Sequence, residues 1–366
     1  MTLIRDSNLM IGNHDIFWSF YQYCQNSISH TTTVCESFYK IGDYTIHLKF
    51  ANETIQKIIS PAQLHLIIPK TSQMKADLTI FVSEQVSHNQ PLPQLVKAWF
   101  GAIAQHPEKY LAPRGEITNG DNQQILIAYN GGSGIVNLYH LEKNIALCLI
   151  QDINRLPYYE IGSPFKVIWH WLVQSKGQLM LHAGAVGLED KGVLLVGKGG
   201  SGKSTTALAC VDSKLKYLSD DYCVVTWEQP LKVHSLFSTV KLVGKNDLKR
   251  FPFINKYLSN SRNIEYEKAM AFVNQFAPEA LLNELPLKAI CIPKVTGLSA
   301  TTWERTSPAK ALFSIAPSSI LQLPYTNQNT FQMISKVASH LPCFYLKIGT
   351  DIKQIPENIL QILNEL

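Results

Sequence analysis

Apolar residues recur along the first part of the chain at both helical and strand spacing. In 15–24 they fall three and four residues apart, which predicts a helix, whereas 44–50 alternates apolar and polar side chains, which predicts a half-buried strand. Further strands are predicted at 78–82, 125–129 and 135–139, with a helix at 95–103. The glycine-rich segment 130–134 joins the last two strands and is typical of a hairpin turn. These elements predict an α+β N-terminal domain over residues 1–163.

After Pro164 the pattern changes to short apolar strands that alternate with helices. Apolar residues in 165–173 predict a helix that is closed by Gly177. The next predicted elements are strands at 178–187 and 192–196, a glycine-rich loop, a helix at 203–211 and a strand at 217–227. Beyond them we predict helices at 263–275, 309–316, 331–340 and 352–366 and strands at 289–295 and 343–348. This order is typical of α/β nucleotide-binding domains, so we place a second domain at 164–366.

Composition narrows the class of protein. With 366 residues, 46% of them apolar and 17% charged, the chain is expected to fold and to exceed a single core. The net charge of +5 is spread along the chain, which disfavours nucleic acid and membrane surfaces as partners. The cysteines are scattered singly without metal-ligand spacing, and no apolar stretch is long enough to span a bilayer. We therefore expect a soluble cytoplasmic protein with reduced thiols.

The segment 197–204, Gly-Lys-Gly-Gly-Ser-Gly-Lys-Ser, matches the phosphate-binding pattern GxxxxGK[ST] in full. It stands between an apolar strand and a predicted helix, where backbone N–H groups and the helix N-terminus bind phosphate. Lys203 is expected to reach the β and γ phosphates, and the Ser204 hydroxyl suits Mg²⁺. The predicted nucleotide-binding residues are Gly197, Gly199, Gly200, Ser201, Gly202, Lys203, Ser204 and Thr205.

Two adjacent acids, Asp220 and Asp221, follow the first strand after the phosphate loop. Neighbouring residues of a strand point to opposite faces, so we expect one carboxylate to face the transferred phosphoryl group. One acid would accept the proton of a hydroxyl nucleophile and the other would hold Mg²⁺. The alternative is a solvated turn before the next strand.

His182 is a further candidate because of the predicted hairpin between 181–187 and 193–196. Its register places His182 opposite 197–199, beside the phosphates, where it would contact phosphate or carry a proton. The alternative is an ordinary core histidine.

The segments 182–186, 192–204 and 219–221 together resemble the HPr kinase/phosphorylase family. They are more similar still to its bacterial relatives that phosphorylate other serines, including kinases of lasso-peptide clusters. The match covers 179–225. The resemblance implies a P-loop kinase core of the type shared with phosphoenolpyruvate carboxykinase, ATP with Mg²⁺ as donor, a serine hydroxyl as acceptor and self-association into a homo-oligomer. It places the catalytic roles on His182, Lys203 and Asp220, with Asp220 as the base, and the metal on Ser204 and Asp221.

The chain departs from that family at 234–242, where HPr kinases carry a glutamate and this sequence has no carboxylate. The departure argues against the reverse, phosphorylase reaction and against HPr as substrate. The polar residues Ser238, Thr239 and Lys241 are candidates to approach the nucleotide or the acceptor, and they fit a plain strand equally well.

The leading hypothesis is an ATP-dependent serine kinase that acts on a peptide, a protein or a small-molecule hydroxyl. The N-terminal domain is then available for acceptor selection. The alternative from a different class is a nucleotide-binding regulatory or assembly module in which phosphoryl transfer is slow or absent.

Overall fold

The computed structural model describes residues 12–29, 35–85, 90–118, 124–261, 264–326 and 328–366. These residues divide into two compact units. The first unit comprises the described parts of 1–37, 46–56 and 75–156, and the second comprises 38–45, 57–74 and 157–366. The division by contacts falls after Leu156, and the domain boundary predicted after residue 163 stays a prediction.

The described residues form a mixed α/β structure with several sheets. Its α-helices are α1 (Asn13–Ser29), α2 (Glu53–Ile59), α3 (Gln94–Gln105), α4 (Pro107–Tyr110), α5 (Tyr158–Ile161), α6 (Lys166–Ser175), α7 (Lys203–Val211), α8 (Gly244–Arg250), α9 (Val273–Phe276), α10 (Pro308–Ile320), α11 (Gln328–His340) and α12 (Gln354–Asn364). Its strands are β1 (Cys35–Ile41), β2 (Tyr44–Phe50), β3 (Ile67–Ile68), β4 (Leu78–Glu84), β5 (Ile125–Asn130), β6 (Ile135–His140), β7 (Ile145–Ile150), β8 (Leu179–Leu181), β9 (Gly184–Leu188), β10 (Lys191–Leu195), β11 (Lys216–Ser219), β12 (Cys223–Thr226), β13 (Lys232–Ser235), β14 (Thr239–Leu242), β15 (Ala269–Phe272), β16 (Glu284–Val295), β17 (Thr302–Thr306) and β18 (Cys343–Ile348). Among the described residues, no helix combines the length and the apolar character needed to cross a membrane.

In the first unit, β2, β4, β7, β6 and β5 lie side by side in this order. The β5–β6 hairpin pairs Asn130 with Ile135 around a glycine-rich turn, which confirms the predicted hairpin. Helices α1 and α3 cover the sheet, and the core between them combines aliphatic side chains with aromatic ones such as Phe17, Phe20 and Trp99. The predicted elements of this unit are confirmed, with bounds that extend by a few residues.

In the second unit, a nine-stranded sheet has β10 and β16 parallel at its centre, and β18 parallel to β16. Alternate residues of β10 contribute to two cores, with Val193 and Leu195 on one face and Leu194 on the other. Helices α7 and α12 pack on the first face, and α10 and α11 pack on the second. Because both faces of β10 are covered, the strand is an almost continuous apolar run.

Three strand and helix predictions in the second unit are wrong. The single strand expected at 178–187 is divided into β8 and β9, and the one expected at 217–227 into β11 and β12. Residues 264–268 form turns and bends, followed by β15 and the short α9, so within the described part of the helix expected at 263–275 only 273–275 are helical. The apolar run of β15 is fully buried and pairs with β14, and so short a run does not distinguish a strand from a helix by its pattern.

Both divided strands break at the same place in the sheet. Strand β8 pairs with β12 through Leu181 and Cys223, and β9 pairs with β11 through Ala185 and Ser219. The residues between these pairs, 182–183 and 220–222, therefore lie opposite one another without forming a ladder. The acid pair is thus in a connection between strands and not on a strand, which corrects the expectation that its two side chains point to opposite faces of a sheet.

The β9–β10 hairpin that leads into the phosphate loop requires glycine at position 187. A Cβ atom there would lie 2.5 Å from the Cα atom of Gly192 on the paired strand. We expect Gly187→Ala to lower the free energy of unfolding by about 2–3 kcal/mol, because backbone atoms must move to make room. Urea denaturation measures the change. The matched control is Gly199→Ala in the same unit, where a Cβ meets no atom within 4 Å; equal stability of the two variants would contradict the prediction.

Candidate active site

The glycine-rich segment 197–204 connects β10 to α7, so the predicted order of strand, loop and helix is confirmed. Gly202 immediately precedes α7 with φ +105°, a backbone conformation that side chains with a Cβ rarely adopt. A Cβ at this position would also lie 2.6 Å from the Ile348 side chain of β18. The loop therefore enters the helix through a position that only glycine fits, close against the central sheet.

Lys203, the first residue of α7, is directed back along the loop. Its Nζ donates a hydrogen bond to the Gly197 carbonyl oxygen at 2.6 Å. Burial lowers the pKa of the Lys203 ammonium, while the nearby Asp220 and Asp221 carboxylates raise it. The remaining predicted binding residues lie in or directly after the loop: Gly197, Gly199, Gly200, Ser201, Gly202, Ser204 and Thr205.

Asp220 is 3% exposed, and its two carboxylate oxygens differ in their hydrogen bonds. Its Oδ2 accepts a hydrogen bond from the Lys241 backbone N–H at 3.1 Å, whereas its Oδ1 is buried without a hydrogen-bond partner in the described part of the chain. Burial raises the pKa of Asp220 to about 6, although the Lys241 N–H and the neighbouring Ser204 hydroxyl both lower it. The loop serine and this carboxylate are therefore neighbours.

Asp221 has more hydrogen-bond partners than Asp220 and shares only Lys241 with it. Its Oδ1 lies 3.1 Å from His182 Nε2, and its Oδ2 accepts hydrogen bonds from Lys241 Nζ at 2.6 Å and Ser163 Oγ at 2.5 Å. Burial raises the pKa of Asp221, but the Lys241 charge and the His182 hydrogen bond outweigh it and hold that pKa well below its usual range. Asp221 is accordingly an ionised carboxylate with both oxygens in use.

His182 lies in the break between β8 and β9, with the acid pair opposite. Its ring stacks on Tyr222 at 4.9 Å between centroids, and its backbone N–H donates to Ser319 Oγ at 3.1 Å. The hairpin register that suggests a place beside the phosphate loop is confirmed from Gly184↔Leu195 onwards. The His182 side chain contacts Asp221 and Tyr222. Its catalytic role stays a prediction.

The structure thus brings together five segments that the sequence separates: 163, 182, 197–204, 220–221 and 241. The sequence indicates Lys241 only as one of several polar residues at 238–241. In the structure, Lys241 donates hydrogen bonds to both acids. Ser163 was missed, because a lone serine before a helix carries no signal of a long-range contact. Ser238 and Thr239 are buried and hydrogen-bonded to backbone carbonyls, which is an ordinary structural role.

The site fits a nucleotide-bound Mg²⁺ in part. The Ser204 hydroxyl and the unpartnered Oδ1 of Asp220 are oxygen donors, the kind that Mg²⁺ prefers, and Mg²⁺ commonly keeps water and phosphate as its other ligands. The described residues contain no group of three or more acidic, histidine or cysteine side chains arranged for a protein-only metal site.

No protein-family model matches the chain, and no curated protein matches it. Among solved structures, it is similar to the Hpr(Ser) kinase/phosphatase from Coxiella burnetii, at 15% sequence identity and a TM-score of 0.29. The alignment covers 51% of this chain and 97% of that chain. At this score the similarity is a weak structural relationship.

The raised pKa of Asp220 predicts a pH dependence of stability. A carboxyl whose pKa is about 6 in the folded chain and 3.8 as its reference value stabilises the fold while protonated, and this stabilisation is lost as the pH rises through 6. Asp220→Asn removes the penalty of ionisation, so the stability of the variant relative to the wild type should increase by about 1 kcal/mol from pH 5 to pH 7.

Urea denaturation at the two pH values measures this difference, with the exposed Asp212→Asn as control. An Asp220→Asn variant whose stability follows the wild-type pH profile would show that Asp220 is ionised at pH 5 in the folded protein.

Proposed function

We propose that the chain is an ATP-dependent kinase that transfers the γ-phosphoryl group of MgATP to a serine hydroxyl of a peptide or protein. The second unit would then be a P-loop kinase core of the type shared by HPr kinase and phosphoenolpyruvate carboxykinase. The observation that carries the proposal is the buried Asp220 carboxyl beside the loop serine, with one oxygen that has no hydrogen-bond partner among the described residues. Burial raises the pKa of this carboxyl to about 6.

Binding of the donor rests on the loop between β10 and α7. Its backbone N–H groups and the N-terminus of α7 suit a polyphosphate. Lys203 supplies a positive charge close to the loop carbonyls. When a nucleotide binds, the Lys203 ammonium would release the Gly197 carbonyl oxygen and contact the phosphates instead. Mg²⁺, held by Ser204 and by phosphate oxygens and water, would neutralise charge on the triphosphate. The assignment of Asp221 as a further Mg²⁺ ligand stays a prediction, because its two oxygens already contact His182, Lys241 and Ser163.

Transfer requires one proton acceptor for the attacking hydroxyl. The serine oxygen bonds to the γ-phosphorus as the bond to the ADP oxygen breaks, and the serine proton passes to a carboxylate. Asp220 suits this role, because its pKa of about 6 leaves it ionised near neutral pH and still basic enough to take the proton. His182 would act through Asp221, which it contacts. Catalysis in this arrangement depends mainly on positioning and charge stabilisation.

The test is transfer of label from γ-labelled MgATP to a pool of serine peptides and, separately, to a pool of small hydroxyl metabolites. We expect label in a peptide serine. Lys203→Ala should weaken nucleotide binding about tenfold or more, since it removes a charge-assisted contact to phosphate. Asp220→Asn should leave nucleotide binding nearly unchanged and lower the transfer rate by about 10²- to 10⁴-fold, the usual contribution of a general base.

The outcomes separate the candidate functions. Label in a metabolite would support the same transfer mechanism, with a small-molecule hydroxyl as the acceptor in place of a peptide serine. Nucleotide binding without label in either pool would contradict the kinase and favour a nucleotide-binding module. Full transfer by Asp220→Asn would contradict the assignment of the base.

A further inference from the structure

Lys241 contacts both members of the acid pair. Strand β14 pairs with β15, with Lys241 opposite Met270, and this fixes the backbone of Lys241 beside the acids. Its N–H donates to Asp220 Oδ2, and its side chain, 10% exposed, extends to Asp221 Oδ2 at 2.6 Å. One residue therefore donates hydrogen bonds to both carboxylates.

The path of the Lys241 side chain depends on a neighbouring glycine. A Cβ at Gly162 would lie 2.9 Å from Lys241 Cε, so any larger residue would crowd the lysine. The Gly162 carbonyl accepts a hydrogen bond from Thr239 Oγ1 at 2.6 Å, which holds this backbone against β14. The next residue, Ser163, is fully buried, and its Oγ accepts a hydrogen bond from Lys241 Nζ at 2.8 Å. The ammonium is thus fixed by packing as well as by charge.

This ammonium occupies the place next to Asp221 that a divalent cation would need. A cation that binds Asp221 must either displace Lys241 or approach within a few ångströms of its positive charge, and charge repulsion in a largely buried site is strong. The other oxygen of Asp221 already contacts His182. Within the part of the chain that the structure describes, no cation competes for the Oδ1 of Asp220.

We propose that Lys241 is a positioning residue that acts as a resident cation of the acid pair: it keeps Asp221 from binding a divalent cation and leaves Asp220 as the carboxylate with an oxygen open to ligands. The inference rests on the proposed function, since it concerns the cation that accompanies the nucleotide. It also assigns a role to a residue at the position where the chain departs from HPr kinases.

The experiment is equilibrium binding of Mn²⁺ to the full chain saturated with ADP, measured from the electron paramagnetic resonance signal of free Mn²⁺. Lys241→Met removes the competing charge and frees Asp221, so Mn²⁺ should bind about tenfold more tightly. If Lys241 had only a structural role, Lys241→Met would weaken Mn²⁺ binding or leave it unchanged. Lys241→Arg keeps the cation and should retain the wild-type affinity. The matched control is Lys347→Met, which removes a surface lysine bonded to Glu304 at the same distance of 2.6 Å.

A double-variant cycle distinguishes direct competition from charge acting at a distance. With Asp221→Asn already present, Lys241→Met frees no carboxylate and should change Mn²⁺ affinity by less than about threefold. Equal tightening in both backgrounds, or no tightening by a folded Lys241→Met variant, would overturn the proposal.

A third arm does not depend on the folding of the Lys241 variant. Because Asp221 is not a ligand in the proposed arrangement, Asp221→Asn should weaken Mn²⁺ binding clearly less than Asp220→Asn, which removes the same charge from the neighbouring carboxylate. A loss for Asp221→Asn that equals or exceeds the loss for Asp220→Asn would overturn the proposal. If the wild-type chain binds neither ADP nor Mn²⁺ with ADP, the proposed function itself fails. If the wild-type chain binds both and only the variants respond unexpectedly, the inference about Lys241 fails and the proposed function stands.

Discussion

The unequal surroundings of Asp220 and Asp221 are the feature on which the candidate site depends. Two neighbouring carboxylates in so dry a place would repel each other if both were ionised without partners. The structure resolves this conflict by giving the lysine ammonium, the histidine and the serine hydroxyl to Asp221, and only a backbone N–H and a nearby hydroxyl to Asp220. One acid is therefore a fixed charge, and the other can change its protonation state near neutral pH.

The break in the sheet makes this arrangement possible. Continuous strands through 182 and 220 would have placed successive side chains on opposite faces, where Lys241 could not contact both acids. Because the break between β8 and β9 lies opposite the break between β11 and β12, the His182 side chain contacts both Asp221 and Tyr222. Parallel strands β10 and β16 meanwhile hold the phosphate loop at the neighbouring position of the same sheet. The regularly paired part of the sheet thus carries the loop, and the break in the sheet carries the acids.

The sequence predicts the parts of this site that depend on local pattern. The glycines, Lys203 and Ser204 lie within one short segment with fixed geometry, and the register of the β9–β10 hairpin follows from its tight turn. The break at 182 and 220 is not predictable in this way, because apolar residues continue on both sides of it and the interruption is imposed by pairing with distant strands. The contacts of Asp221 with Ser163 and Lys241 join residues far apart in sequence, and neither residue belongs to a motif. Periodicity likewise could not separate the short buried strand β15 from a helix.

The most direct test of the unequal acid pair is the titration of the two carboxyl groups by ¹³C nuclear magnetic resonance in protein labelled at aspartate, with Asp220→Asn and Asp221→Asn used to assign the signals. We expect the Asp220 signal to titrate near pH 6, because burial raises its pKa, and the Asp221 signal to stay that of an ionised carboxylate throughout the range in which the protein is folded. Titration of both groups near the ordinary aspartate pKa, or of Asp221 at the higher pH, would contradict it.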